Sequence, residues 1–272
     1  MTRYSVAIPS YRRADMLAKR TLPFLLEGGV SPNDITVFVH SHDPQYRQYV
    51  ATLIGLPGVG IQVTEAHGIN AQRAAILDHY TEGDALVQVD DDVTALMRTT
   101  DGVKLTRVDD VDGFFRRAFA LTRERGLWSW GLSAVPNAYF MKPGHITEDL
   151  KFLIFSLFGT HVRHGHPVFT STVPTKDDYE FSLRSWWYDG GVIRFNDHVA
   201  KADIYRAPGG CQDTRTVEQA ERSVESLIHQ WPGLVRRNTR RRSDFPEILL
   251  ARRARHAGHS VAIDPPGIYR PS

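Results

Sequence analysis

Three consecutive carboxylates, Asp90-Asp91-Asp92, follow directly on the apolar run Ala85-Leu86-Val87-Gln88-Val89. Like charges held side by side repel, so such a cluster calls for full solvation or for a cation nearby. Carboxylate oxygens suit hard divalent ions such as Mg²⁺ or Mn²⁺, which keep open positions for phosphate oxygens. In an extended or turning backbone Asp90 and Asp92 point to one side and Asp91 to the other, which makes Asp90 and Asp92 a candidate metal clamp. The plain alternative is an acidic surface turn.

A second acidic cluster opens Asp177-Asp178-Tyr179-Glu180-Phe181-Ser182-Leu183-Arg184. Its carboxylates fall in the first turn of a predicted helix, where they favour the helix dipole. The chemical alternative makes one of them a general base, which needs an acceptor hydroxyl within about 3 Å. Two further segments suit an anionic ligand. In Ile8-Pro9-Ser10-Tyr11-Arg12-Arg13, Ser10 and the backbone beyond it can meet a nucleotide, Tyr11 can stack, and an arginine such as Arg12 can pair with phosphate. In Gly68-Ile69-Asn70-Ala71-Gln72-Arg73, a helix start attracts phosphate and Arg73, one turn in, can reach the same anion; Asn70 serves equally as a plain helix cap. Either His198 or Asp203 can complete a metal site, whereas His161, His164 and His166 read as members of a Gly/Pro-rich loop.

These segments need elements to position them. Predicted strands at 4–9, 35–40, 61–63, 85–89, 127–135, 139–141 and 192–195 alternate with predicted helices at 14–26, 44–53, 70–80, 110–125 and 176–188. That alternation predicts an α/β fold, a mostly parallel sheet flanked by helices, with ligands outside the carboxyl ends of the strands. Residues 144–175, rich in His, Gly, Thr and Pro, read as loops and hairpin strands over the sheet, and Thr216 to Gln230 reads as a helix stopped by Pro232-Gly233. The expected organisation is a domain over 1–205 and a helical basic extension over 206–272.

Charge and composition narrow the partners. From Ile204 onward 12 arginines and no lysine face seven acids, a local charge of +5 inside a chain whose net charge is only +2. Arg236, Arg237, Arg240, Arg241 and Arg242 form the densest part, a patch that suits an anionic partner such as nucleic acid as well as it suits a solvated face. Apolar residues at 42% and charged residues at 24% exclude collagen-like, coiled-coil and disordered classes. Cys211 is the single cysteine, so no intrachain disulfide forms. The most apolar run, Phe152 to Phe158, is far shorter than the roughly 20 residues of a membrane span, and no leader-like segment precedes the first strand. The expectation is a soluble cytoplasmic protein with no membrane partner.

Taken together, the strand ending in Pro9-Ser10-Tyr11, the Gly-x-Asn-Ala-x-Arg helix start, the Asp-x-Asp after an apolar strand and the acidic helix start resemble the family-2-like nucleotide-sugar glycosyltransferases of the GT-A fold. The resemblance runs over about residues 4–205. It implies a UDP-sugar donor, Mn²⁺ or Mg²⁺ held through Asp90 and Asp92, Asp91 beside them at the donor, and base contacts near Pro9, Ser10 and Tyr11. It also implies Arg73 at the nucleotide side and Asp178 as catalytic base after Asp177, with His198 as the candidate for the later metal histidine. More narrowly, Pro208-Gly209-Gly210-Cys211-Gln212, the helix from Thr216 and the Arg-rich end resemble phage DNA glycosyltransferases associated with TET/JBP dioxygenases, which are related to base J glucosyltransferase. That group implies transfer to 5-hydroxymethylcytosine in DNA, in the host cytoplasm if phage-encoded, with Trp186, Trp187 or Tyr188 as stacking partners for a flipped base. The alternatives are a transferase acting on a saccharide, lipid carrier or protein, a nucleotidyltransferase, and a nucleic-acid-binding module on a degenerate transferase fold.

Overall fold

A computed structural model describes residues 3–202, 216–240 and 244–251. Its first half alternates strand and helix: β1 (Ser5–Ser10), α1 (Ala14–Lys19), α2 (Thr21–Glu27), β2 (Ile35–His40), α3 (Tyr46–Ile54), β3 (Gly60–Thr64), α4 (Gly68–His79) and β4 (Ala85–Val89). These four strands pair in parallel in the order β3-β2-β1-β4. Side chains alternate between two covered faces, which is why each strand reads as a nearly continuous apolar run. Val6, Ile8, Val37, Val39, Val87 and Val89 enter the main core, while Ala7, Phe38 and Leu86 pack on Ile76 and Leu77 of α4.

Beyond β4 the chain forms β5 (Val93–Arg98), β6 (Thr106–Arg107), α5 (Val111–Glu124), β7 (Ser129–Leu132), β8 (Ile146–Thr147) and β9 (Leu157–His161). There follow α6 (Asp177–Asp189), β10 (Ile193–Phe195), β11 (His198–Ala202), α7 (Val217–Gln230), β12 (Val235–Arg237) and β13 (Ile248–Leu250). The main sheet has eight strands in the order β3-β2-β1-β4-β9-β7-β10-β8. β9 runs antiparallel to both β4 and β7, whereas β7 and β10 are parallel. Two antiparallel reversals leave β7 pointing the same way as β1 and β4, so Ser10, Val89 and Leu132 end at one edge. A small second sheet, β11-β5-β6, starts in the chain with β5, which three residues separate from the end of β4.

Several local expectations differ from the structure. The helix expected over 14–26 breaks at Arg20 (φ −127°, ψ −78°), and Pro23 sits in the first turn of α2, where its missing N–H removes no helical bond. The stretch 139–141, expected as a strand, is a 3₁₀ turn opened by Asn137. β9 arises inside the segment expected as loops and hairpin strands over the sheet, but it lies within the main sheet between β4 and β7, and β5 was not expected at all. Among the described residues of the C-terminal part, one helix is followed by a two-stranded ribbon. Thr216 and Gln219 form a capping box on α7, with both bonds at 3.1 Å, but Arg236 and Arg237 lie on a β-ribbon because β12 pairs with β13.

Helix α6 carries the second acidic cluster and is fixed at its start and in its interior. Lys176 precedes it in a left-handed conformation (φ 64°) and its buried ammonium lies 3.5 Å from Glu247. Within the helix, Glu180 and Arg184 form a fully buried ion pair with N–O distances of 3.0 and 2.7 Å, and Glu180 also accepts from the Thr172 amide at 2.8 Å. The third acid of the cluster is therefore structural. Trp186 is buried with Leu227 and Trp231 in the core under the ribbon, which removes it as a stacking partner for an extruded base, and Trp187 packs partly buried against the same cluster. Glu180→Ala leaves Arg184 buried without its carboxylate; we expect a loss of about 3–5 kcal/mol in urea unfolding, and a much smaller loss in the Glu180→Met/Arg184→Met double variant.

Candidate functional site

The carboxyl edge of β1 and β4 gathers most of the residues singled out above. Asp90 leaves β4 with its amide bonded to the Ser156 carbonyl at 2.9 Å, and its own carbonyl accepts from the Thr21 hydroxyl at 2.9 Å. From α4, the Arg73 guanidinium approaches two carboxylates: Asp177 at 2.6 Å and Asp90 at 3.5 Å. The same guanidinium stacks over the Phe155 ring at 4.3 Å. A planar cation with several donors suits such sharing, and the aromatic face keeps it in one plane. Asp178 stands beside Asp177 at the start of α6. Arg73, Asp90, Asp177 and Asp178 thus meet in space although 104 residues separate Arg73 from Asp177.

Charge crowding marks this group. Removal from water, reinforced by Asp92, Asp91 and Asp177 and opposed by Arg73, pushes the Asp90 carboxyl up to about 7. Removal from water and the neighbouring Asp177 charge raise Asp178 as well, against the opposing pull of Arg73.

The middle carboxylate has a different task. Ser10 donates its hydroxyl to Asp91 at 2.6 Å and lies 2.8 Å from the Tyr49 hydroxyl. A serine has one proton to give, so Tyr49 must donate to Ser10, and the Tyr49 oxygen in turn accepts from the Arg13 amide at 2.9 Å. Arg13 closes the ring at 3.1 Å from Asp91 and 3.9 Å from Asp92. Residues 91 and 92 form a turn, so the simple alternation of directions does not hold: Asp91 and Asp92 share Arg13, and Asp90 alone faces Arg73. Asp91, pushed up to about 6 by burial against the pull of Arg13, is a brace inside the protein.

Other expected contacts are redistributed. Pro9 and Ser10 are buried, whereas Tyr11 and Arg12 are exposed, the Tyr11 ring edge-on to His40. Arg12 adopts φ 57° with its amide held by Asp43 at 2.7 Å, while Arg13, not singled out from sequence, turns into the acidic group. Asn70 is not a cap: α4 begins at Gly68, and the Asn70 amide holds Ser171 and Val173 at 3.0 Å each. His198 does not join the acidic group. It pairs with Arg98, five residues along β5 from Val93 and so roughly 16 Å away, and its Nδ1 lies 2.7 Å from Asp197. Asp203 lies outside the described residues. On the ribbon, Arg236 and Arg240 are exposed, whereas Arg237 makes a two-pronged pair with Glu221 at 3.0 and 2.7 Å. Arg241 and Arg242 lie outside the described residues, as do Cys211 and the glycines before it.

This architecture is that of the GT-A glycosyltransferase fold. Among solved structures it is similar to S. aureus TarS residues 1–349 in complex with UDP-GlcNAc, with a TM-score of 0.55, 13% identity, and coverage of 84% of this chain and 67% of that one. It is also similar to the mannosyltransferase PcManGT from Pyrobaculum calidifontis in complex with GDP-Man and Mn²⁺, with a TM-score of 0.52, 15% identity, and coverage of 75% and 58%. The chain thus spans between 58% and 67% of the length of these two neighbours. At such identities the likeness defines the fold. No protein-family model and no curated protein matches the sequence. No helix among the described residues is long and apolar enough to cross a membrane.

The carboxylate crowding has a consequence for stability. Asp90 and Asp91 bind protons more tightly folded than unfolded, so their contribution to stability is fully present below the ordinary carboxylate value of 3.8 and is lost as pH rises through about 6 to 7. Asp90→Asn, which keeps the shape and removes the charge, is expected to melt higher than the natural chain at pH 8. Thermal melts should show the two converging near pH 4; a constant difference at both pH values would rule out the linkage.

Proposed function

We propose that the chain is a metal-dependent nucleotide-sugar glycosyltransferase that inverts the transferred sugar. The observation that carries this reading is the meeting of Asp90 and Asp177 on Arg73, with Asp178 adjacent, at the ligand edge of a GT-A fold. The neighbours of known structure bind UDP-GlcNAc or GDP-Man, which supports a nucleotide-sugar donor here, and UDP is the nucleotide proposed. The donor set fits Mn²⁺ or Mg²⁺: Asp90 and Asp92 offer hard oxygens, and the repulsion that raises Asp90 is relieved by a divalent cation. Held by Asp90 and Asp92, such an ion would offset charge on the departing diphosphate.

The chain's own residues supply the remaining steps. In this reading the exposed Tyr11 covers the nucleotide base, and Arg73 holds Asp90 and Asp177 at a fixed separation. Asp178 takes the proton of the acceptor hydroxyl as that oxygen bonds to the anomeric carbon, while the bond from that carbon to the diphosphate oxygen breaks on the opposite face. A carboxyl raised above the usual range is a stronger base once ionised.

For the acceptor we propose the hydroxymethyl group of 5-hydroxymethylcytosine in DNA. The exposed Arg236 and Arg240, within a C-terminal part that has 12 arginines and no lysine, support a polyanionic acceptor. A saccharide acceptor is the second reading, favoured by the exposed Tyr139 and Phe140 on the segment that leaves β7 at the same edge.

The test is UDP release with Mn²⁺ and a panel of UDP-sugars, comparing DNA containing 5-hydroxymethylcytosine, plain-cytosine DNA and no acceptor, followed by nucleoside mass spectrometry. A hexose-sized gain confined to the modified base is expected. Asp178→Asn should lower the rate by about 10²–10⁴, and the natural enzyme should lose activity as pH falls below about 7, where the raised Asp178 takes up a proton. UDP release indifferent to DNA transfers the acceptor to the saccharide reading, and no turnover with any donor overturns the transferase.

A further inference from the structure

A second cluster of ligating side chains stands at the same edge of the sheet, outside the acidic group. His40 ends β2, His42 follows in the turn, and Glu65 follows β3, which pairs in parallel with β2 so that both strands finish side by side. One ring nitrogen from each histidine and one Glu65 oxygen lie within 4.8 Å of one another. The Ser41 hydroxyl ties the group together, 2.9 Å from His42 Nδ1 and 2.8 Å from Glu65 Oε2.

His40 is the informative member. Its residue is 5% exposed, its Nδ1 accepts from the His42 amide at 3.1 Å, and its Nε2 is buried with no hydrogen-bond partner among the described residues. With Nδ1 accepting, Nε2 carries the ring proton and is a buried donor without an acceptor among the described residues. Buried polar atoms are nearly always satisfied, and moving that proton to Nδ1 turns Nε2 into a lone pair beside a second imidazole and a carboxylate, which points to something bound. His42 and Glu65, by contrast, are 83% and 77% exposed at their side chains and are free to close over an ion.

We infer that His40, His42 and Glu65 form a binding site for a borderline divalent metal of the Zn²⁺ class, distinct in position and chemistry from Asp90 and Asp92. Two imidazoles and one carboxylate select Zn²⁺, Co²⁺ or Ni²⁺ over Mg²⁺ and Mn²⁺, which the all-oxygen pair selects instead. Three protein ligands leave a fourth position to water. Metal–nitrogen bonds of about 2.0–2.1 Å require the three ligating atoms to draw together, which the two exposed side chains accomplish by rotation. The His42 amide gives up its bond to the His40 ring on binding, because a neutral imidazole cannot ligate through one nitrogen and accept a hydrogen bond on the other. The ion then clamps the ends of β2 and β3 and steadies the turn that carries Asp43, which holds the Arg12 amide beside Tyr11.

The full chain, stripped with a chelator, is titrated with Zn²⁺ by calorimetry and with Co²⁺ by visible absorption. One equivalent per chain is expected, with the intense ligand-field bands of a tetrahedral or five-coordinate site. His42→Ala and Glu65→Ala, both at exposed positions that the fold tolerates, should each weaken binding by more than about tenfold, and Asp92→Ala should leave it unchanged. Binding that survives both exposed-site variants, binding lost in Asp92→Ala, or the absence of a stoichiometric site each overturns the assignment. Activity is not the readout, so the result stands apart from the transferase reading.

Discussion

Arg73 answers two carboxylates that arrive from different parts of the chain, one at the end of a central strand and one at the start of a helix more than 80 residues later. A single guanidinium with a 2.6 Å bond to Asp177 and a 3.5 Å approach to Asp90 decides how close α6 can come to the sheet. Without the cation the two acids would repel α6 outward; without Asp177 the arginine would be free to close fully on Asp90. Everything around the pair serves this balance. Phe155 fixes the plane of the cation, the Glu180–Arg184 pair and Lys176 fix the helix, and Thr21 and Ser156 fix the backbone of Asp90.

A parallel arrangement stabilises the neighbouring carboxylates. Tyr49, Ser10, Asp91 and Arg13 form a closed circuit in which each proton has one place to go. Burying an acid inside such a circuit costs solvation that partners only partly restore, and the raised values of Asp90 and Asp91 express that cost. The edge of the sheet is therefore built at the expense of stability. Sites that must receive a charged ligand are commonly built this way, because the ligand removes the strain when it arrives.

Much of this was legible before the coordinates. The valine-rich runs named four parallel strands because period-two burial on both faces leaves few polar interruptions, and the acidic runs after Val89 and Lys176 named the places where charge would crowd. The stretch from Thr216 to Gln230 named a helix stopped by Pro232-Gly233, and the structure adds the reciprocal bonds of Thr216 and Gln219 at its start. What stayed hidden depended on distance in the chain. Nothing local marks Arg13 rather than Arg12 as the inward arginine, since the choice follows from the left-handed turn at Arg12. Asn70 had the look of a cap, but the loop at 171–173 claimed its amide. His198 stands away from the acidic group for a topological reason, because antiparallel pairing sends it to the far end of β5. The strand β9 was masked by the His, Gly and Pro residues around it.

That strand also dictates an order of assembly. β4 pairs with β1 on one side, but its other side waits for β9, which begins 68 residues after β4 ends. During synthesis the first four strands emerge as a half-sheet with an open, apolar edge, and β7 appears before the strand that will join it to β4. Open edges of this kind recruit other chains, and contacts between distant residues form slowly. The short pairing of β9, five residues against five, is the stitch that converts two unfinished layers into one sheet. A ribosome pause placed before residue 157 would hold the nascent chain in its most aggregation-prone form.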